Sequence, residues 1–140
     1  MVAKKRHYEQ TDFEIAFYEG VLRKRPQFVQ ALMNLGDLYT KKGLYEKGLE
    51  IDRKLSALRP DDPLVFYNLA CSYSLMNDVD ASLTAIKHAI RCGYDDFKYL
   101  LHDQDLKNLF KDDRFHQYLS HLKRRKRDMI LKKKTDAGAQ

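Results

Sequence analysis

The side chains of this 140-residue chain that could carry chemistry are five histidines, two cysteines and 20 acidic residues. Nucleophilic or acid–base catalysis needs a base, a hydroxyl or thiol, and an orienting group within hydrogen-bond reach of one another. No spacing here supplies that set. His88 has Thr84 four residues before it, with no third group to orient either. His116 and His121 are five apart, whereas a helix brings two imidazoles together at i and i+4. His102, Asp103, Asp105 and His116 are metal-ligand types. Histidines near aspartates on a surface are commonly just solvated, and that is the reading adopted for them. Asp112-Asp113 is better placed to cap a helix N-terminus than to act as paired catalytic carboxylates. The six glycines are mostly isolated turn residues and form no phosphate loop. Cys71 and Cys92 make neither a CxxC pair nor a disulfide framework. The expectation is a protein that is not an enzyme, with no cofactor and no bound metal.

Charge divides the chain in two. Residues 123–134 hold eight Lys or Arg against Asp128 alone, a local balance of +7, while the rest has 18 basic and 19 acidic residues. The net charge of +6 therefore belongs to a tail. Lys123, Arg124, Arg125, Lys126, Arg127, Lys132, Lys133 and Lys134 are candidate contacts for a polyanion, because neutralised phosphates release counterions. The bland alternative is a solvated helix end that aids solubility. With no aromatic residue interleaved, base stacking is not indicated. Met129, Ile130 and Leu131 are too few for a strong amphipathic membrane helix. No stretch approaches the roughly 18–20 apolar residues that span a bilayer. The basic start, Lys4-Lys5-Arg6, is followed by no apolar run, so no secretory signal is expected and a cytoplasmic location is the default.

The elements that would position any binding residues follow from an internal repeat. Asn34 and Asn68, Leu35 and Leu69, Tyr39 and Tyr73, Leu49 and Leu83, and Pro26 and Pro60 all stand 34 apart, with Gly36 matched by Ala70. Each period reads as two helices. Leu32, Leu35, Leu38 and Tyr39 recur at helical spacing up to a stop at Gly43, and Leu49, Ile51, Leu55 and Leu58 continue to Pro60. The next period opens on Asp62 as a cap with Pro63 behind it, turns at Asn77-Asp78, and runs through Leu83, Ile86, Ala89 and Ile90 to Gly93. Gly36 and Ala70 would allow two helices to approach closely.

Leu35-Gly36-x-x-Tyr39 with Gly43-x-Tyr45-Glu46-Lys47-Gly48 and Pro60 resembles a tetratricopeptide repeat, as does Leu69-Ala70-x-x-Tyr73 with its turn at Asn77. Gly48 and Ser82 stand where that family usually has alanine, and Asp52 where it is usually aromatic. Residues 13–26 resemble the second helix of a preceding repeat. Asp103-x-Asp105-Leu106-x-x-Leu109 followed by Asp112-Asp113-Arg114-Phe115 resembles the extension that closes short bacterial members, with Asp113 in place of a proline. A repeat stack needs such an atypical end to cover its last apolar face.

The resemblance implies an all-α, right-handed α-solenoid. A flexible N-terminus (1–10) would precede a domain at 11–122, made of a half-repeat (11–28), repeats at 29–62 and 63–96 and a helical cap (97–122). A basic tail (123–140) would follow. Because the first helix of each repeat lines the concave face in this family, the resemblance places Gln30, Met33, Asn34, Asp37, Lys41, Leu64, Tyr67, Asn68, Cys71 and Ser74 in a binding groove. Asn34 and Asn68 match a position where an amide often holds a ligand's backbone, although bonds to neighbouring helices would explain them equally. The carboxylate clamp of chaperone-binding members needs a lysine where Met33 stands and an asparagine where Asp37 stands. Asp37 would repel a C-terminal carboxylate and suits a ligand bearing Lys or Arg. The implied function is an adaptor that binds a peptide or helix of another protein in the groove. The alternative is a nucleic-acid- or ribosome-associated factor acting through the tail. The chain is expected to be a monomer or weak homodimer with no membrane insertion.

Overall fold

The computed structural model describes the backbone of residues 2–139 and the side chains of residues 9–139. Eight α-helices and a single 3-10 turn make up the described chain, and no strand occurs among these residues. Helix α1 (Val2–Lys24) is followed by α2 (Val29–Lys41), α3 (Tyr45–Leu58), α4 (Pro63–Leu75) and α5 (Val79–Arg91). The cap comprises α6 (Phe97–His102), the 3-10 turn Gln104–Leu106, α7 (Lys107–Phe110) and the long α8 (Asp113–Gly138). The architecture is an all-α solenoid of helical hairpins.

Period 34 is visible in the caps themselves. At the end of α2, Gly43 takes φ 83, its N–H donates to Thr40 O and Leu44 N–H donates to Tyr39 O. Thirty-four residues on, Asn77 at φ 59 repeats the arrangement with Ser74 O and Tyr73 O. This double bond pattern satisfies carbonyls that the helix end would leave bare. Asp62 caps α4, accepting from Leu64 N at 3.0 Å and Val65 N at 3.4 Å, with Pro63 in the first turn.

Packing runs from neighbour to neighbour. Ile15, Leu35, Leu38 and Tyr39 join α1 to α2. Leu32, Leu55 and Val65 join the first hairpin to α4. The largest cluster places Ile86 and Ala89 of α5 against Leu100, Leu106, Leu109 and Phe115 of the cap. The cap thus covers the last apolar face of the stack, as a solenoid requires.

One stretch differs from the sequence reading. Helix α1 runs through Val2–Lys24 without a break at residue 10, so the stretch set apart as a flexible N-terminus continues the half-repeat helix; residue 1 lies outside the described residues. Residues 123–138 extend α8 beyond the body as exposed helix, the solvated helix end that the sequence allowed.

Close approach explains the small residues. A Cβ on Gly36 would sit 3.1 Å from Ile51 Cγ2 and 3.2 Å from Asp52 Oδ1. On Gly48, where the family favours alanine, it would sit 2.9 Å from Thr40 Oγ1, a hydroxyl that donates to Gly36 O at 3.0 Å. Ser82, the residue 34 beyond Gly48, is fully buried and donates to Ala70 O at 2.7 Å. Gly36→Leu is therefore expected to overpack the α2–α3 contact and cost roughly 1–3 kcal/mol, read as a lowered urea midpoint with unchanged slope.

Candidate binding groove

Helices α2 and α4 both pack on α3, and the cap folds over α4 and α5. Between α2, α4 and the cap lies a cleft of about 390 Å³. Met33, Gly36, Asp37 and Thr40 of α2 line it, with Asp52 of α3 and Leu64, Tyr67, Asn68, Cys71 and Ser72 of α4. Tyr94 and Asp96 of the α5–α6 turn, Tyr99 of α6, and Asp103 and Asp105 close it.

Six of the ten groove residues expected from the sequence meet in this cleft: Met33, Asp37, Leu64, Tyr67, Asn68 and Cys71. They differ in role. Tyr67 is buried, its ring stacked on Tyr94 with centroids 4.3 Å apart and its hydroxyl donating to Asp103 Oδ2 at 2.6 Å. Burial, then the hydrogen bond to Asp103, raises its phenol strongly, so it stays neutral. Cys71 is buried beside the same carboxylate, and burial first and Asp103 second push its thiol well above the ordinary range. A thiol so disfavoured as thiolate is a poor nucleophile. Leu64 is 47% exposed, and Asn68 is half-buried with no hydrogen-bond partner among the described residues.

The other four lie elsewhere. Lys41 is exposed and pairs with Asp37 at 2.8 Å, one turn away on α2. Asn34 donates to Tyr18 Oη of α1 at 2.9 Å and accepts from Gln30 Nε2 at 3.2 Å. Of the two open readings, Asn34 thus follows the neighbouring-helix one. Gln30 belongs to a separate depression with Arg25, Pro26, Phe28 and Arg59. Ser74 is corrected: it is fully enclosed, its hydroxyl accepting from Leu109 N and its carbonyl from Asn108 Nδ2 at 2.8 Å. The cap packs over the C-terminal end of α4 and removes Ser74 from the groove.

Sequence reasoning missed Asp52, Tyr94, Asp96, Tyr99, Asp103 and Asp105 as lining residues. The Asp103-x-Asp105 pattern was the available signal, read as part of the extension that closes the stack. Asp103 Oδ1 also caps the 3-10 turn, accepting from Asp105 N at 3.0 Å, and its second oxygen accepts from Tyr67 at the cleft. The result is a groove with five carboxylates and no Lys, Arg or His in its lining. Burial raises the Asp52 carboxyl to about 6, opposed by a hydrogen bond from Ser72 Oγ. Burial, then the charges of Asp103 and Asp37, raises Asp105.

The histidines and the acidic pair are used structurally. His102 Nδ1 bonds Lys98 O at 2.8 Å and His116 Nε2 bonds Phe110 O, while Asp112 caps α8 through Arg114 N at 2.9 Å. Asp112 is held at about 2 by the Arg114 side chain and backbone N–H. No group of three potential metal ligands occurs among the described residues. The eight cations of the tail, Lys123 to Lys134, are all exposed on α8.

The stacked hairpins, their caps and a cleft on the first-helix face define a class of protein, and comparison with known proteins agrees. The tetratricopeptide repeat family model matches residues 29–62. The chain thus carries a tetratricopeptide repeat within its stack of hairpins. It is 35% identical over 102 residues to a chloroplastic protein of Arabidopsis thaliana, an alignment covering 69% of this chain and 30% of that protein. It is 39% identical over 72 residues to the CTR9 homologue of the same plant, covering 51% of this chain and 6% of that protein. The chain therefore spans less than a third of the length of either relative. A crystal structure of MamA superposes with a TM-score of 0.58 at 28% identity, covering 64% of this chain and 53% of that one. A MamA fragment from Desulfovibrio magneticus RS-1 gives 0.64 at 18% identity over 85% of this chain and 70% of its own, a likeness of fold alone. The repeats have the architecture of a protein-interaction scaffold. No helix among the described residues is long and apolar enough to cross a membrane.

Proposed function

We propose that this protein is an adaptor that binds a peptide or helical segment of another protein in the cleft between α2, α4 and the cap. What carries the reading is the gathering of exposed apolar side chains, an unengaged amide and unneutralised carboxylates in one concave site. Leu64 and Tyr99, 47% and 59% exposed, offer apolar surface. The Asn68 amide can donate to a carbonyl and accept from an N–H of an extended backbone. The cleft is short, so a few anchoring side chains would supply most of the affinity.

A photocrosslinking residue placed at Leu64 tests this, with one at the exposed Lys54 of α3 as control. In lysate of the source organism, position 64 is expected to give a discrete adduct that position 54 does not. The double variant Asp37→Asn with Asn68→Ala should abolish it while circular dichroism stays unchanged. Identical adduct patterns from both positions would sink the reading.

A second reading has its own observation: the basic stretch of α8 is wholly exposed. A polyanion bound there would dissociate steeply with salt, and truncation after Leu122 would remove the binding.

A further inference from the structure

We propose that the groove of one copy receives the basic C-terminal helix of a second copy, residues 123–134, so that the chain assembles head to tail. This rests on the groove being a binding site and names its occupant.

The two surfaces complement each other in charge and in apolar content. The groove presents carboxylates with no cation in its lining, and among the described residues Asp37 alone of them has an ion-pair partner, Lys41. The tail segment carries a balance of +7. It also exposes Met129, Ile130 and Leu131 at 60%, 47% and 55%, a patch suited to the exposed Leu64 and Tyr99. Burial first, then the charges of Asp103 and Asp37, disfavour the Asp105 carboxylate, and an arriving lysine would offset the repulsion part of that cost.

The contact must be made between copies. No residue of 123–138 lines the groove of its own chain. Helix α8 is continuous over 26 residues, about 39 Å at 1.5 Å per residue, and carries the tail away from the body. A groove on one face and a tail projecting from the cap as a different surface form a heterologous interface, which propagates into open chains.

Sedimentation velocity of the full chain over a concentration series, before and after nuclease treatment, tests the proposal. Species larger than a monomer are expected to grow with concentration, to survive nuclease and to shrink with added salt. A groove variant, Asp37→Asn with Asp105→Asn, and a tail variant, Lys132→Glu with Lys133→Glu and Lys134→Glu, should each weaken self-association by about tenfold or more. Each keeps one intact surface, so an equal mixture of the two should form a dimer that grows no further. Asp37→Asn alone, at an exposed position, serves if the double groove variant loses its helical signal. Self-association retained by both variants, or a mixture that stays monomeric, would overturn the proposal. So would assembly that disappears with nuclease, which would give the tail to a nucleic acid. If self-association fails while the adduct at position 64 persists, the tail is the wrong occupant and the groove stands. If both are absent, both readings fall.

Discussion

Phe115→Ala is expected to lower the free energy of unfolding by about 3–5 kcal/mol, the largest single-residue effect in this chain. Phe115 is fully buried on the first turn of α8, its ring 5.5 Å from that of Phe110. Leu100, Leu106 and Leu109 from three other cap elements belong to the same cluster, with Ile86 and Ala89 of α5 beneath them. Because those short elements make few internal bonds, a cavity there has no rigid frame to close around it. Contacts in a solenoid run only between neighbours, so the damage should stay at that end. Hydrogen exchange should show lost protection in α6–α8 and part of α5 while α2 and α3 keep theirs, alongside the shifted urea midpoint. A loss under about 1 kcal/mol, or protection lost equally in α1–α3, would mean that the cap does not fasten the end of the stack.

The second large effect concerns Asp52, a carboxylate where the family usually has an aromatic ring. It is buried, accepts from Ser72 of the next hairpin, and is raised to about 6 from the ordinary 3.8. Between those values the folded protein holds a proton that the unfolded chain has released. Stability therefore falls as pH rises through that window and stays at its lower level above about 6. A shift of roughly two units corresponds to about 3 kcal/mol at most. An asparagine at this position would keep an acceptor for the Ser72 hydroxyl without a charge to desolvate. Asp52→Asn is thus expected to stabilise the protein by about 1–3 kcal/mol at about pH 7.5, with the gain shrinking to near zero by about pH 4. Urea melts of both proteins across that range measure it. A pH-independent difference, or an advantage to the natural residue at the upper end of the range, would refute the assignment of cause. Asp52 lines the cleft, so its cost in stability falls at the proposed binding site, where a stability–function trade-off would place it.

Much of the architecture was legible because repeat signals are local. Gly43 and Asn77 close α2 and α4 with the same bonds 34 residues apart, and Asp62-Pro63 opens α4 as its residue types require. Leu32, Leu35, Leu55 and Ile86 fall in the core because helical periodicity places them on one face. The groove was half legible. The first-helix rule placed Met33, Asp37, Leu64, Tyr67, Asn68 and Cys71 where the cleft lies, but a position on a helix face does not reveal what will lie over it.

By itself, the amino-acid order determined the helices, their pairing into hairpins and the separation of a near-neutral body from a basic tail. These depend on interactions within a turn or between adjacent helices, whose partners lie close in sequence. Only the tertiary structure decided that Ser74 is enclosed, that Tyr67 is tied to Asp103 across 36 residues, and that Asn34 is taken by Tyr18. It also decided that carboxylates from α2, α3, the α5–α6 turn and the cap share one cleft. The irregular cap carries no period, so where it folds back over α4 is set by the apolar face it must cover, and that face exists only once the repeats have stacked.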